Sequence, residues 1–243
     1  MSKKKRVFLN LPKSKEVDGK LIPYLSYSQH SSFNETSDEF RYQMILQYIF
    51  GIKIPSRFEL FATYGNHCGE YIETQGEKRG ELLSNNDCVI LDKVMKDFPE
   101  GSEYEREVWI DRGNYFILGY EDRWELITPE LCDVEDFKTG NIDKKGPFYA
   151  SEKYGQTTLY CFSEESKGLK IRDSFVTMLD RKGNPMADTN PTKLYLSGRV
   201  EKIPTPYSKR RAEKVLADMD ATAEKLASLK NTYDKLKNLT IKF

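Results

Sequence analysis

Pairs of aspartate and lysine two positions apart occur four times in this chain, and one pair is placed where it could do hydrolytic chemistry. The four pairs are Asp18/Lys20, Asp136/Lys138, Asp143/Lys145 and Asp180/Lys182. Only Asp136 and Lys138 end an expected strand that follows another expected strand with acidic residues of its own, Glu121 and Asp122. Residues two apart in a strand point to the same face, so Asp136 and Lys138 can enter one cleft while Phe137 turns into the core.

Two carboxylates and a lysine in one place are the groups that metal-dependent phosphodiester hydrolysis uses. Asp122 on the neighbouring strand can reach Asp136, and their oxygens suit a hard divalent cation such as Mg²⁺ or Mn²⁺. The cation would acidify the attacking water and offset charge on the phosphate, while Lys138 would orient or deprotonate that water or offset phosphate charge. The alternative is a surface ion pair between Lys138 and a carboxylate, worth roughly 0–1 kcal/mol. The residues by themselves leave both interpretations open.

The elements that would position these residues are predicted from the spacing of the apolar residues. Helical spacing covers residues 37–50, 58–74, 87–97 and 150–162, and Tyr154 and Tyr160 are expected as packing residues of the last helix. From Glu105 the apolar residues alternate with a period of two. This alternation predicts a three-stranded meander with turns at 111–114 and 128–130. Gly146 and Pro147 are expected to close this segment. Strands are expected over 169–179 and 193–202, separated by a polar loop over 181–191.

A long helix is predicted at the C-terminal end, over residues 208–239. Its apolar positions recur mostly in steps of three and four: Met219, Leu226, Leu229, Tyr233 and Leu236. The helix could lie on its own domain or pair with another helix, and the spacing does not decide between the two. We expect residues 1–207 to form one domain and residues 208–243 to form this helix, which packs or docks a partner.

Composition limits the classes of protein to which this chain can belong. The chain has 243 residues, and its 38 basic and 38 acidic residues cancel, so any contact with nucleic acid must be local. Local basic runs over 3–6, 144–145 and 209–211 could make such contacts or could simply be solvated. No run approaches the roughly 20 apolar residues of a membrane span, and the basic start lacks the apolar part of a signal peptide. We therefore expect a cytoplasmic protein with no membrane partner.

Blocks of sequence around the candidate residues occur together in a fixed order. They are Leu25-Ser26-Tyr27-Ser28-Gln29 through Phe33, Gly65-Asn66-His67, Gly119-Tyr120-Glu121-Asp122-Arg123, Val134-Glu135-Asp136-Phe137-Lys138-Thr139-Gly140 and, more weakly, Gln156-Thr157-Thr158-Leu159-Tyr160. In these blocks the chain resembles the RecB-type nucleases of the PD-(D/E)XK superfamily, and the resemblance extends from Leu25 to Tyr160. Ordered matches at plausible spacing are far more specific than any single block.

The resemblance implies a fold and a set of roles. The expected fold is α/β (α+β), with a central mixed sheet flanked by helices, a restriction-endonuclease-like core and the long C-terminal helix. Asp122 and Asp136 would bind Mg²⁺ or Mn²⁺, with His67 and the backbone carbonyl of Phe137 as further ligands. Lys138 would act on the nucleophile. Two more residues would support the site or touch the DNA backbone: Gln156 and Tyr160.

Three departures from the family pattern also carry expectations. Several relatives bind an iron–sulfur cluster through one early and three late cysteines, but no Cys stands near Thr36 and none follows Cys161, so we expect no cluster. Glu121 stands where the family has an apolar residue, which leaves open whether Glu121 or Asp122 faces the metal. No Gly-Lys-Ser/Thr loop is present, so no nucleotide cofactor is expected.

The resulting hypothesis is a stand-alone, phage-like or CRISPR-associated-like DNA exonuclease that acts in recombination, repair or replication. Expected partners are linear duplex or single-stranded DNA ends, together with an annealing or single-strand-binding protein, or a second copy, on the C-terminal helix. The expected location is the cytosol of a bacterium or of a phage-infected host. Two alternatives stay open: a non-catalytic DNA-binding or assembly protein with a nuclease fold, and an endonuclease like those of CRISPR adaptation.

Overall fold

The computed structural model describes residues 6–34, 37–52, 59–183 and 194–240, except for the side chains at positions 39, 40, 239 and 240. Within these ranges the elements are, in chain order, β1 (Lys13–Val17), β2 (Lys20–Leu25), α1 (Tyr27–Phe33), α2 (Asp38–Tyr48), α3 (Glu59–Glu73), α4 (Asn85–Lys96), β3 (Glu103–Asp111), β4 (Phe116–Thr128), β5 (Leu131–Gly140), α5 (Ile142–Tyr149), α6 (Gln156–Ser166), β6 (Lys170–Lys182), β7 (Tyr195–Pro204) and α7 (Lys209–Thr240). The protein is therefore mixed α/β.

Seven strands form one mixed sheet in the order β1-β2-β4-β5-β6-β7, and β3 pairs with β4 beside this path. The pairs β2/β4 and β5/β6 are parallel, whereas β1/β2, β4/β5 and β6/β7 are antiparallel. Helix α6 packs on β5 and β6, and α3 packs on β5. The predicted fold, a central mixed sheet flanked by helices with a long C-terminal helix, is confirmed.

The chain divides into two compact units. The first contains residues 1–54, 107–119 and 213–243, and the second contains residues 55–106 and 120–212. Strand β4 runs through both, and its first residues pair with β2 while the rest pairs with β5. Every residue expected to do chemistry lies in the second unit.

The first unit begins with a hairpin that the periodicity did not predict. Asp18 and Gly19 connect β1 to β2 and both have positive φ, 50° and 70°, which is the backbone of a tight two-residue hairpin turn. Helix α1 follows directly and is capped by Ser26, whose side chain accepts the Gln29 amide while the Gln29 side chain accepts the Ser26 amide. The Leu25-Ser26 block is thus a strand end and a helix cap.

Most of α7 belongs to the first unit and packs within it. Arg112 and Tyr115 bind Asp220 of the helix, with donor–acceptor distances from 2.6 to 3.0 Å. Of the apolar positions in the predicted stripe, Met219 and Leu226 are fully buried, whereas two remain exposed: Leu229 and Leu236. The first half of the helix therefore packs on its own unit.

A hydrophobic core holds the second unit together. It joins helices α3 and α4 to strands β5, β6 and β7 through these buried residues: Tyr64, Cys68, Tyr71, Ile72, Leu83, Leu91, Val94, Phe137, Leu179, Leu194 and Leu196. Because β5 is covered by α3 on one face, only residues on its other face are free to form a polar site. The core therefore fixes the direction in which Asp136 and Lys138 point.

Several predicted elements are confirmed. Helices α2, α3 and α4, the three-stranded meander β3 to β5, strands β6 and β7, and helix α7 all occur near the predicted bounds. Of the predicted polar loop over 181–191, residues 181 and 182 continue strand β6, and residues 184–191 lie outside the described residues. The side chain of Phe40, within the predicted helix over 37–50, and residue Phe58, where the next predicted helix begins, also lie outside them.

The prediction around residues 142–155 is wrong. Gly146 and Pro147 do not close the segment but lie inside α5, and α6 begins at Gln156 rather than near 150. Helix α5 is short, and it tolerates Pro147 for two reasons. Three of its residues are buried: Ile142, Gly146 and Tyr149. Asn141 also caps its first turn, because the Asn141 side chain accepts a hydrogen bond from the Lys144 amide. Packing therefore outweighs the cost of proline in a helix.

None of the helices in the described part of the chain is long and apolar enough to cross a bilayer.

Candidate active site

Asp136 lies at the centre of the candidate site, in the interior strand β5. This strand pairs with β4 on one side and with β6 on the other, and Asp136 is fully buried. Side chains alternate along a strand, so Phe137 points the opposite way, into the core of the second unit, where its ring lies 5.6 Å from that of Phe98. The predicted opposition of Asp136 and Phe137 is therefore confirmed.

Asp122 lies on β4, directly beside Asp136. The antiparallel ladder between β4 and β5 reaches the pair Arg123 and Glu135, one residue away from both aspartates. Oδ2 of Asp122 accepts a hydrogen bond of 2.6 Å from the Phe137 amide. Burial and then the negative charge of Asp136 raise the pKa of Asp122 well above its usual value. The two carboxylates are therefore close enough to repel each other.

Lys138 completes the set that the sequence predicted. Its Nζ lies 2.6 Å from Oδ2 of Asp136. Burial acts to lower the pKa of Lys138, but the attraction of Asp136 and Asp122 outweighs burial, and the pKa is raised above its usual value. The positively charged Lys138 therefore lies beside the carboxylates of Asp136 and Asp122.

A chain of hydrogen bonds joins Asp136 to the start of helix α6. The hydroxyl of Tyr154 donates to Oδ2 of Asp136 at 2.9 Å and lies 3.1 Å from Oε1 of Gln156. Nε2 of Gln156 in turn donates to the hydroxyl of Tyr160 at 2.7 Å. Gln156 and Tyr160 are one helical turn apart and face the same way. The structure thus brings both predicted supporting residues to the site, and both reach Asp136 through Tyr154.

The donor atoms of this site fit a divalent cation. Oδ1 of Asp136 is buried and has no hydrogen-bond partner in the described ranges, an arrangement that costs free energy unless a ligand satisfies the oxygen. The N–H and C=O of a strand residue point to the same edge, so the Phe137 carbonyl faces β4, as its amide does. Two carboxylates and a carbonyl are hard oxygen donors of the kind that Mg²⁺ and Mn²⁺ accept.

His67 does not join this set. Nδ1 of His67 accepts a hydrogen bond of 3.4 Å from the Leu82 amide, and its ring packs against Gly80, where an added Cβ would lie 2.1 Å from Cγ of the ring. Among the residues that the structure describes, no three His, Cys, Asp or Glu side chains are grouped closely enough to hold a metal ion. The expected ligand set of His67 with Asp122 and Asp136 is therefore not formed, because local packing holds the ring.

Glu121 belongs to a different cluster from Asp122. It is fully buried together with Glu164 of α6, and Arg106 lies 4.0 Å from a Glu121 oxygen and 3.2 Å from a Glu164 oxygen. The Arg106 guanidinium also stacks on Trp124 at 3.9 Å. Burial and then the charge of Glu164 raise the pKa of Glu121 to about 8. Asp122, rather than Glu121, is thus the acidic residue of β4 that faces Asp136.

The main residue that the sequence did not single out is Tyr154. The periodicity placed it as a packing residue, whereas it precedes α6 and donates directly to Asp136. Its ring does pack, at 4.9 Å from the ring of Tyr149. With 15 tyrosines in the chain, nothing in its type distinguishes it. Its only sequence signal is its place two residues before Gln156.

Comparisons with known proteins bear on the fold alone. No protein-family model and no curated protein matches the chain, so membership of the RecB-type family stays a prediction. Among solved structures, the chain is similar to a protein from Eubacterium rectale described as a candidate exonuclease. The TM-score is 0.50 and the sequence identity 10%, over 86% of this chain and 82% of the other. The two proteins therefore share a fold.

Proposed function

We propose that this protein is a metal-dependent nuclease that hydrolyses the phosphodiester bonds of DNA, working from DNA ends. The observation that carries the proposal is the buried Asp136, which stands beside Asp122 and Lys138 and has a carboxylate oxygen without a partner in the described part of the chain. The fold that the chain shares with a protein described as a candidate exonuclease supports a nuclease, and that protein's description is the reason for proposing action at DNA ends.

The electrostatics of the pair favour a bound cation. The carboxylates of the buried Asp136 and the half-buried Asp122 repel each other, and one lysine offsets only part of their charge. Mg²⁺ typically binds proteins through one or two carboxylates and keeps several of its waters. Asp122 and Asp136, with the Phe137 carbonyl, therefore suffice as a ligand set without His67. When bound, such a cation would make a water more acidic and offset charge on the phosphate.

The residues around the pair have separate tasks in this proposal. Lys138 presents its ammonium group beside Asp136, where it can orient the attacking water or offset the negative charge of the phosphate. Tyr154 fixes Oδ2 of Asp136 by its hydrogen bond. The pair Gln156 and Tyr160 holds Tyr154 in place from helix α6. Preorganisation of this kind keeps Asp136 in one orientation.

The test uses labelled DNA of three forms: linear duplex, linear single strand and closed circular duplex. Each is incubated with purified protein in Mg²⁺, Mn²⁺ or EDTA, beside the variants Asp136→Asn and Lys138→Met. A nuclease acting on ends degrades the linear forms only, needs the metal, and loses about 100-fold or more of its rate in both variants. Cleavage of closed circles would instead indicate an endonuclease. Intact DNA of all forms, bound by the protein, would indicate a non-catalytic DNA-binding protein.

A further inference from the structure

One ion pair between β4 and β5 is buried at both ends and lies behind the candidate active site. Nε of Arg123 donates to Oε2 of Glu135, and the two side chains are 3% and 0% exposed. Glu135 directly precedes Asp136, and side chains alternate along a strand, so the pair lies on the opposite face of the sheet. The Arg123 guanidinium accordingly lies 4.9 Å from the ring of Phe98, which packs against Phe137. The pair is therefore next to the site without entering it.

Hydrogen bonds hold both members of this pair in one orientation. Nη1 of Arg123 donates to the hydroxyl of Ser102 at 3.0 Å and to Oε2 of Glu125 at 2.9 Å. Oε1 of Glu135 accepts a hydrogen bond from the hydroxyl of Thr177 on β6. Buried polar networks whose members are hydrogen-bonded are rigid. The network therefore fixes β4, β5 and β6 relative to one another at this point.

A contribution to stability does not explain why charges are buried here. The cost of removing two charges from water commonly cancels their attraction, and apolar residues of similar size often stabilise a protein as well or better. A buried pair can instead specify one geometry. The geometry concerned here is the register of β4 on β5, which begins at Arg123 and Glu135.

Asp122 is the residue whose position depends on this end of the register. It directly precedes Arg123 and lies just beyond the first pair of the ladder. There a side chain joins the two strands, because the Phe137 amide donates to Oδ2 of Asp122 at 2.6 Å. The negative charge of Asp136 repels Asp122. A fixed Arg123 therefore helps to keep the two carboxylates side by side.

The spacing of the two carboxylates matters because the expected cation is small. Mg²⁺ takes oxygen ligands at about 2.0–2.1 Å in nearly ideal octahedral geometry. A small displacement of Asp122 would therefore leave one ligand badly placed. Residues that orient the ligands of a metal typically change its affinity by about 10–100-fold when they are replaced.

We propose that the ion pair of Arg123 and Glu135 positions Asp122 for metal binding, and that the fold does not need the pair for its stability. The inference rests on the proposed nuclease function and adds two positioning residues to the site. Both act through Asp122, and neither touches the metal or the DNA. Apolar residues in their place should therefore preserve the fold but weaken metal binding.

The test replaces the pair in the double variant Arg123→Met/Glu135→Leu. The matched control, Arg172→Met/Asp133→Leu, removes an ion pair that joins β5 to β6, away from Asp122. Glu135→Gln keeps the shape of the side chain and one accepting oxygen, and it decides the test if the double variant does not fold. Urea denaturation gives the midpoint of unfolding, and calorimetry gives Kd for Mn²⁺.

A second readout needs no metal. In protein labelled with ¹⁵N-phenylalanine and kept in EDTA, hydrogen exchange of the Phe137 amide reports on its bond to Asp122. Asp122→Ala gives the exchange rate without this bond. If wild-type protein binds no Mn²⁺ and cleaves no DNA, the nuclease proposal fails, and the exchange rates still show whether the pair positions Asp122.

We expect Arg123→Met/Glu135→Leu to keep or exceed the urea midpoint of the wild type. The same variant should bind Mn²⁺ about 10–100-fold more weakly and exchange the Phe137 amide about tenfold faster. Glu135→Gln should show smaller changes in the same direction, and the control variant should bind Mn²⁺ within about twofold of the wild type.

Two kinds of result would overturn the positioning role of the pair. One is wild-type Mn²⁺ affinity in Arg123→Met/Glu135→Leu or, if no form of the protein binds the metal, wild-type exchange of the Phe137 amide. The other is an equal loss of Mn²⁺ affinity in the control variant. A clear fall of the urea midpoint in the apolar variant would overturn the claim that the fold does not need the pair.

Discussion

The contact between His67 and Gly80 gives a prediction that separates a packing role for the histidine from a metal-binding one. Gly80 is not among the residues with positive φ, so its backbone conformation is open to alanine. A Cβ at this position would lie 2.1 Å from Cγ, 2.4 Å from Nδ1 and 2.5 Å from Cδ2 of the His67 ring. These distances are far below van der Waals contact. Gly80→Ala must therefore move the ring or the backbone.

The expected cost of Gly80→Ala is roughly 1–3 kcal/mol of unfolding free energy, as for other overpacked sites. Replacing the ring by His67→Ala removes the collision, so the double variant should be no less stable than His67→Ala alone. The double-mutant cycle of Gly80→Ala and His67→Ala should thus show a favourable coupling free energy of about the same size. Urea denaturation followed by circular dichroism gives the free energies. Gly69→Ala is a control on α3, because its new Cβ would meet only the flexible end of Glu73 at 3.1 Å.

Two results would refute this reasoning. One is a Gly80→Ala protein as stable as the wild type, which would mean that the ring does not lie on Gly80. The other is a destabilised Gly80→Ala protein that His67→Ala fails to relieve. Mn²⁺ binding, measured by calorimetry, adds the functional part: because His67 stands outside the aspartate pair, His67→Ala should bind Mn²⁺ as the wild type does. A large loss of affinity would instead make His67 a ligand.

Two further predictions concern the candidate site and its surroundings. Tyr154→Phe removes the hydrogen bond to Asp136, so it should lower the cleavage rate about tenfold and stability by roughly 1–2 kcal/mol; Tyr195→Phe, at an exposed position, is the control and should change neither. Burial and then Glu105 raise the pKa of Glu73 from 4.5 to about 7. A raised carboxyl pKa means that stability is lost as pH rises from about 4.5 through 7. Glu73→Gln should therefore reduce the fall of the urea midpoint of unfolding over this pH range. An equally steep fall in the variant and the wild type would contradict the prediction.

The central residues could be predicted because they depend on strand geometry alone. Alternation puts Asp136 and Lys138 on one face and Phe137 on the other, and two strands joined by a short turn must lie side by side. The ladder beside Arg123 then brings Asp122 to Asp136. Gln156 and Tyr160 were instead expected at the site only through the resemblance to the RecB-type nucleases, because helical spacing by itself predicted Tyr160 to be a packing residue. Local periodicity was sufficient wherever the contact joined neighbouring elements.

Other features depend on contacts between distant parts of the chain, which local patterns do not contain. Helix α5 forms despite Pro147 because Gly146 packs against Ile203 of β7, where an added Cβ would lie 3.3 Å from Cδ1. His67 is held by residues 80 and 82 in a segment without regular structure. Tyr154 reaches Asp136 from a turn, where no period applies. Each of these arrangements is decided by tertiary packing.

The two acidic residues of β4 show a further limit of prediction from sequence. Glu121 and Asp122 are neighbours on one strand, yet their side chains enter different surroundings. Glu121 lies against Arg106 and Glu164, and Asp122 lies against Asp136. The sequence left open which of them faces the expected metal. Only the packing of α6 on the sheet separates them.

The most direct test of the central claim measures metal binding and cleavage on the same samples. Calorimetric titration with Mn²⁺ and cleavage of end-labelled linear duplex are compared for the wild type, Asp122→Asn and Asp136→Asn, with Asp143→Asn as an exposed control. The account predicts that the wild type and the control bind Mn²⁺ and degrade the duplex, and that both site variants lose binding and cleavage together. Metal-dependent cleavage that survives in Asp136→Asn would contradict it.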